Sequence, residues 1–455
     1  MTLIKSVSGI RGTIGGPSGD NLTPPDIVGF AAAYGTWLKT TETKVKVVIG
    51  RDGRSSGAHV QRLVMETLLA CGIDVIDVGL STTPAVEMYV PKAQAQGGIV
   101  ITASHNPRQW NALKFLNAKG EFISKQEGES IIQAVDDKQF NFVAIDEMGS
   151  YTEAGDAIDY HNEAICALDL VDVERIRQRK FHVVVDCINS TAALAIPPLL
   201  KALGCSFTLL NDDVSGNFAH NPEPLAVHLT ELMAAVKNEN ADLGIAVDPD
   251  VDRLAFVSED GSYFGEEYTL VAIADYILSK TPGNTVSNLS STKALSDITE
   301  NHGGHYTASP VGEVHVVNAM KEVGAVIGGE GNGGVIYPPL HYGRDAPVGI
   351  ALMLSHLSTS GKSMTELRTG YPEYFIAKSK IQLEGIDPDS VLITVRDYYS
   401  KHEIDTRDGV KILLDNGWIH MRKSNTEPII RVYVEQPNER LAVDLVDEVK
   451  GVVGL

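Results

Sequence analysis

The chain has 455 residues, enough for about two to four domains, and its 43% hydrophobic and 21% charged residues are those of a globular protein with sizeable cores. A formal net charge of −21 argues against nucleic acid and anionic membrane as partners, because both need clustered Lys and Arg. No apolar run approaches the roughly 20 residues of a membrane span, and the start, MTLIKSVSGIRG, lacks the apolar core of a secretion signal.

Cys71, Cys166, Cys187 and Cys205 are scattered without a CxxC pair, which points to reduced thiols in a cytoplasmic protein. In so acidic a chain, local basic residues must capture any anionic ligand. Every Arg or Lys beside a Gly-rich or Ser-rich turn is therefore informative.

In chain order the pattern is strand, turn, helix, repeated. VKVVIG (45–50) reads as a strand, RDGRSSG as a loop, and AHVQRLVMETLLACG (58–72) as a helix closed by Gly72. IDVIDVG (73–79) is a strand, TPAVEMYVPKA (83–93) a short helix and GGIVITAS (97–104) the next strand. A second cycle runs FHVVVDC, a helix over 190–203, CSFTLLN, a helix near 228–240, and LGIAVD (243–248). A third runs TVSNLS (285–290), helix 292–302, HYTASPV, helix 313–323, AVIGGE (325–330) and a helix near 345–358. Short apolar strands alternating with amphipathic helices predict mainly parallel α/β sheets. The C-terminal part differs: Asp415-Asn416-Gly417 separates two alternating strands, a hairpin signal, and a terminal helix follows. The expected domains are 1–150, 151–258 and 259–368, each α/β, and 369–455, antiparallel α+β.

AVDPDVDRLAF carries the strongest chemical signal. Asp248, Asp250 and Asp252 fall at i, i+2 and i+4 after an apolar strand, so in an extended or gently curved loop their carboxylates point to one side. Such a group calls for a cation, and oxygen-only ligands select Mg²⁺, Mn²⁺ or Ca²⁺ over zinc. An EF-hand is excluded, because Arg253 stands at the sixth position, where that loop needs Gly, and a strand rather than a helix precedes. Arg253 either tethers a carboxylate or contacts an anionic ligand.

Three further loops admit two readings each. In RKSNTEPIIRVYVE, Ser424-Asn425-Thr426 between Arg422 and Arg431 is either an anion nest or a polar-capped hairpin turn. In GGEGNGGVIYP, Glu330 and Asn332 on a Gly-rich run suit sugar hydroxyls, or the run is an irregular strand end. In SGIRGTIGG, Arg11 sits on an open backbone that suits an anion, or the stretch is a flexible arm. Lys114 is either a solvated surface group or a charge or general base. Ser104, at the end of the GGIVI strand, needs a base or a metal to become a nucleophile. His105 is its neighbour, and on an extended chain adjacent side chains face opposite ways. A metal that takes a serine-borne phosphoryl group as a ligand makes sense of the serine and the three aspartates together.

These residues, taken in order, resemble the α-D-phosphohexomutase family over essentially the whole chain. TASHNP resembles the family's phosphoserine loop, DPDVDR its DGDxDR metal loop, GEGNGG its GExSGH sugar loop, and RKSNTEP its RxSGTEP phosphate loop. Asn332 and Gly334 replace Ser and His of the sugar-loop pattern, a GGExNGG form similar to the archaeal-type phosphoglucosamine mutase subgroup. The resemblance implies four domains around a central cleft, with Ser104, Lys114, Arg11 and His105 as catalytic residues. It implies one Mg²⁺ held by Asp248, Asp250, Asp252 and Ser104. Substrate contacts would come from Arg253, Glu330, Asn332, Arg422, Ser424, Asn425, Thr426 and Arg431. The implied reaction is reversible 1/6 phosphoryl transfer on a hexose phosphate through a phosphoserine and a bisphosphorylated hexose, in a monomer or homodimer without nucleic-acid or membrane partners. Glucosamine phosphate is the expected substrate, with glucose or mannose phosphate as the alternative. A metal-dependent phosphomonoesterase and a non-catalytic sugar-phosphate sensor are the rival readings.

Overall fold

A computed structural model of the chain describes residues 2–6, 9–40, 42, 44–383, 387–424 and 429–454. Two compact units result, Met1–Thr269 with Gly333–Thr365, and Leu270–Asn332 with Glu366–Leu455.

The first unit opens with a seven-stranded sheet in the order Ile4–Ser6, Gly9–Thr13, Trp110–Leu116, Gly97–Ile101, Lys46–Arg51, Asp74–Leu80, Tyr151–Glu153. Lys46–Arg51 pairs in parallel with both Asp74–Leu80 and Gly97–Ile101, and helices Gly57–Ala70 and Thr83–Lys92 make the crossovers. These are the strand–helix repeats expected from the apolar runs, and every residue of GGIVI is buried, as a strand covered on both faces requires.

The expectation of a mainly parallel sheet needs correction here. Gly9–Thr13 pairs antiparallel with Trp110–Leu116, which pairs antiparallel with Gly97–Ile101. Gly9–Thr13, which carries Arg11, is thus a strand rather than an open arm. Its backbone passes so close to its neighbour that a Cβ on Gly9 (φ +113°) would lie 2.7 Å from the Leu113 carbonyl oxygen. Arg11 and Lys114 consequently lie on adjacent strands, with Arg11 in register with Ala112.

The second sheet of this unit runs Leu254–Ser258, Leu243–Val247, His182–Asp186, Ser206–Leu210. Its first pair is antiparallel and the other two are parallel. The antiparallel pair makes a hairpin whose connection is the DPDVDR segment. Helix Ala346–Ser360 packs on helices Ala157–Cys166 and Val173–Arg179. Its N-terminus is fixed by Asp345, whose side chain accepts from Val348 N, and by Pro347 in the first turn.

In the second unit, Thr285–Asn288 pairs in parallel with Tyr306–Ser309 and Ile327–Glu330, flanked by helices Ala294–Asn301 and Glu313–Val323. The C-terminal sheet runs Phe375–Gln382, Ile429–Gln436, Gly417–Lys423, Val410–Leu414, Glu403–Asp405, antiparallel throughout. Leu414 faces Gly417 across the predicted hairpin turn. Ile412, Ile419, Val432 and Val434 pack with Val395 and Val449 of helices Pro388–Tyr398 and Glu439–Val452 to form its core. The architecture is therefore the expected set of α/β layers followed by an antiparallel α+β domain. No helix among the described residues is long and apolar enough to cross a membrane. The four cysteines are free, and Cys71, Cys187 and Cys205 are buried.

Candidate active site

Strand Gly97–Ile101 delivers Ser104 into a turn in which its φ is +48°, a left-handed conformation that costs a serine of order 1 kcal/mol or more. The surroundings hold it there. Arg54, buried and paired with Asp52 at 3.0 Å, donates to the carbonyls of Asn106 (2.7 Å), Pro107 (2.8 Å) and Trp110 (3.0 Å), and to that of Ser104 itself. Asp52 accepts from the Thr102 hydroxyl at 2.7 Å, which in turn accepts from Ser104 N at 3.0 Å. With the loop carbonyls drawn to Arg54, the Ser104 hydroxyl donates to Asp248 Oδ2 at 2.5 Å. His105 Nδ1 lies 3.4 Å from the same hydroxyl, so the extended-chain argument separating the two side chains fails at this left-handed residue. Burial, and then repulsion from Arg253, Arg11 and Arg344, hold the His105 imidazole well below its ordinary pKa, so it is neutral near pH 7.

Asp248, Asp250 and Asp252 are fully buried, and one carboxylate oxygen from each lies within 4.8 Å of the others. They converge because the connection is a tight turn, not the extended or gently curved loop expected. Val251 takes φ +63° and returns its N–H to the Asp248 carbonyl at 3.0 Å. Asp248 Oδ1 accepts from the backbone N–H groups of Asp252 and Arg253, both at 3.1 Å. Asp250 Oδ2 takes Lys114 Nζ at 2.8 Å and the Thr83 hydroxyl at 2.6 Å, and Asp252 Oδ2 takes Arg344 Nη2 at 2.6 Å.

The remaining oxygens, Oδ1 of Asp250 and of Asp252, are buried without a hydrogen-bond partner among the described residues. Buried carboxylate oxygens are rarely left so, and two of them facing a third carboxylate fit a hard divalent cation with oxygen ligands. Burial and repulsion from Asp252 and Asp250 push Asp248 well above the usual carboxylate range. Burial would raise Asp250 too, but Lys114 and its hydrogen bond hold that group low. Lys114 is buried rather than solvated. Burial would lower its pKa, yet Asp250 and Asp252 outweigh this and raise it, so it acts here as a fixed positive charge.

Arg11 donates to Asn106 Oδ1 at 3.3 Å, and its pKa is depressed by burial and then by Arg253, with a smaller contribution from Arg344. Three guanidiniums thus gather beside Ser104 in a chain of strongly negative net charge, the local capture of an anion that such a chain requires. Arg253 also reaches toward Asp248 and Asp252, with Nε 4.0 Å from each. Gly333 seals the neighbouring loop: its carbonyl accepts from Leu254 N at 3.0 Å, and at φ +88° a Cβ would lie 2.2 Å from the Leu254 oxygen.

The other expected site residues belong to the second unit. Glu330, at the C-terminal end of its strand, accepts from Asn288 Nδ2 (2.9 Å) and Gly312 N (3.2 Å) through Oε1, and from Asn332 Nδ2 (3.3 Å) through Oε2. Arg422 and Arg431 lie directly opposite each other on neighbouring antiparallel strands, so both side chains stand on one face. Like charges so placed repel unless an anion lies between them, and Nε of Arg422 is buried without a partner among the described residues. Ser424 N closes this hairpin on the Ile429 carbonyl at 2.9 Å. Asn425 and Thr426 lie outside the described residues.

Arg54, Asp52, Thr83 and Arg344 shape the first cluster and were not singled out from the sequence. A usable signal existed for both arginines. Arg54 stands in RDGRSSG and Arg344 in YGRDAP, each beside a glycine turn in a chain where such arginines are informative.

Comparison with known proteins adds a consistent pattern. Models of the phosphoglucomutase/phosphomannomutase family match domain I at residues 3–142, domain II at 159–261, domain III at 265–374 and the C-terminal domain at 382–452. A "Phosphoglucomutase/phosphomannomutase" of Thermococcus kodakarensis is 36% identical over 95% of each chain. A "Phosphoglucosamine/phosphogalactosamine mutase" of Sulfurisphaera tokodaii is 31% identical over 100% of this chain and 99% of its own. The crystal structure of a phosphoglucomutase/phosphomannomutase family protein from Burkholderia thailandensis superimposes with a TM-score of 0.85 at 26% identity, covering 99% of this chain and 96% of that one.

Proposed function

Because the chain belongs to the phosphoglucomutase/phosphomannomutase family, we propose that it catalyses reversible phosphoryl transfer between O6 and O1 of a hexose phosphate, with Ser104 as the phosphoryl carrier and glucosamine 6-phosphate as the substrate. The observation that carries this reading is the Ser104 hydroxyl held 2.5 Å from a buried aspartate whose two partner aspartates keep unpaired oxygens.

In the resting enzyme Ser104 bears the phosphoryl group. Arg11 and Arg253 hold its oxygens, where their charge offsets what the transfer develops. A sugar hydroxyl attacks phosphorus as its proton passes to the neutral His105 imidazole, the bond to Ser104 Oγ breaks, that oxygen takes the proton back from the imidazolium, and the sugar becomes a bisphosphate. The sugar then turns over, its other phosphate is attacked by Ser104 Oγ, and the isomeric monophosphate leaves. Lys114 remains protonated throughout and keeps Asp250 ionised. His105, held neutral 3.4 Å from the serine oxygen, is the nearby group able to take a proton. Asp248, Asp250, Asp252 and a phosphoryl oxygen on Ser104 would hold one Mg²⁺, which when bound neutralises phosphoryl charge.

The reacting and non-reacting phosphates exchange places in each cycle, so the enzyme needs a second phosphate site. Arg422, Arg431 and Ser424, with Asn425 and Thr426, are assigned to it, and Glu330 and Asn332 to the sugar hydroxyls. The paired arginines favour a mutase over a phosphomonoesterase, which needs one phosphate site only. The relative's name from Sulfurisphaera tokodaii supports an amino sugar, and that from Thermococcus kodakarensis favours glucose or mannose phosphate as the second reading. The cytoplasm is the proposed location.

The test is a panel of glucosamine, N-acetylglucosamine, glucose and mannose 6-phosphates assayed for formation of the 1-phosphate. Highest kcat/KM with glucosamine 6-phosphate supports the assignment. Higher kcat/KM with glucose or mannose phosphate transfers it to the second reading, and release of inorganic phosphate without interconversion refutes both.

A further inference from the structure

We propose that His161, His341 and Asp345 form a second metal site, one that takes a d-block divalent cation such as Zn²⁺ rather than Mg²⁺. Nothing in the phosphoryl-transfer scheme uses these residues. His161 lies on helix Ala157–Cys166, and His341 and Asp345 lie in the loop that ends at the N-terminus of helix Ala346–Ser360. His161 Nε2 is 2.6 Å and His341 Nε2 3.0 Å from the same oxygen, Asp345 Oδ2. One donor atom from each residue lies within 4.8 Å of the others. The side chains are 1%, 11% and 1% exposed, so the cluster is buried, and with three protein ligands a water would complete a tetrahedral set.

Two observations select the class of cation. Two imidazole nitrogens and one carboxylate oxygen match zinc or cobalt, whereas Mg²⁺ and Ca²⁺ prefer oxygen alone. The other nitrogen of His341, Nδ1, lies 3.4 Å from Glu87 Oε2, and a carboxylate behind a histidine is what orients a metal-binding imidazole. The chain is shaped for that approach, because a Cβ on Gly343 would fall 1.9 Å from Glu87 Oε2. Ligand bonds of about 2.0–2.1 Å set tetrahedral donor atoms about 3.3 Å apart, so the Asp345 oxygen needs to part from each imidazole nitrogen by less than an ångström to admit the ion.

A cation there would join helix Thr83–Lys92, which carries Glu87, to helix Ala157–Cys166 and to the loop holding Arg344. Arg344 grips Asp252 at 2.6 Å, so this metal would act as a positioning element behind the first site, not as a reactant.

The experiment uses the full chain, stripped with chelator and dialysed into excess Mg²⁺ to occupy the aspartate site. Zinc or cobalt is then added, and metal content and the visible absorption of tetrahedral Co²⁺ are measured. Wild type and Asp250→Asn should each retain about one zinc per chain and show the cobalt bands. His161→Gln and His341→Gln should bind at least tenfold more weakly and lose the bands. Zinc should raise the melting temperature of wild type but not of His341→Gln, whose more exposed side chain makes it the variant better able to fold. Folded wild type that holds no zinc, or zinc retained equally by His341→Gln, overturns the proposal and leaves the cluster a proton-filled hydrogen-bond network.

Discussion

Lys114→Met isolates the electrostatics of the first site. Lys114 Nζ lies 2.8 Å from Asp250 and 3.6 Å from Asp252, with side chains 5% and 0% exposed. Methionine keeps most of the apolar stem, so the change removes charge more than volume. Taking one partner from a buried ion pair typically costs about 3–5 kcal/mol, because the partner left behind stays buried and uncompensated. At roughly 1.6 °C per kcal/mol for a unit of this size, the melting temperature in EDTA should fall by roughly 5–8 °C. A divalent cation that binds only the folded site restores about 2.7 kcal/mol at a hundred times its dissociation constant. With the ammonium gone, the aspartates attract that cation more strongly than in wild type. Calorimetry of both proteins in EDTA and in Mg²⁺ should therefore show a large loss in EDTA that Mg²⁺ mostly repairs, and a smaller Mg²⁺ response in wild type. A loss under about 1 kcal/mol in EDTA, or a Mg²⁺ response no larger than that of wild type, would refute the account of a buried carboxylate cluster that Lys114 and a divalent cation balance together.

Other outcomes follow from the same geometry. Ser104→Ala should abolish interconversion, and intact-mass measurement should show no phosphate on a protein whose melting temperature is little changed; full activity would remove the serine from the mechanism. Arg422→Ala should lower kcat/KM for interconversion roughly ten- to 150-fold, the loss of one charge-assisted bond of about 1.5–3 kcal/mol, while phosphorylation of Ser104 by a bisphosphate donor suffers less; an unchanged rate would reduce that hairpin to scaffold. Glu435 is fully buried, accepts from Lys293 N at 2.8 Å, and is pushed by burial to a pKa of about 7 from 4.5. The folded chain thus keeps this proton where the unfolded chain has lost it, so its stabilising contribution is complete below pH 4.5 and declines toward pH 7, by up to about 3 kcal/mol. The difference in unfolding free energy between wild type and Glu435→Gln, measured by urea titration, should follow that slope, and a difference independent of pH would contradict it.

Legibility from sequence tracked the strength of local signals. LGIAVD was read as a strand over 243–248 and forms one over Leu243–Val247, because a continuous apolar run between polar breaks identifies a buried strand. The antiparallel half of the first sheet was unread. GIRGT offers glycines and one arginine in place of alternation, and becomes a strand only through Trp110–Leu116 beside it. The aspartates were legible from spacing alone, though their convergence comes from the turn at Val251, which an i, i+2 rule for extended chains does not describe. Thr83 and Arg344 reach Asp250 and Asp252 across 167 and 92 positions of sequence, so tertiary packing creates those contacts and no local pattern announces them. His161 and Asp345, 184 positions apart, are the same case.

The most direct test of the central claim follows one phosphoryl group. Enzyme labelled with ³²P at Ser104 is mixed with unlabelled glucosamine 6-phosphate and quenched within a single turnover. The label should leave the protein, appear in a sugar bisphosphate and end in the product monophosphate, because the other, unlabelled phosphate is the one that returns to Ser104. Label released as inorganic phosphate, or retained on the protein while the sugar isomerises, would contradict transfer through phospho-Ser104.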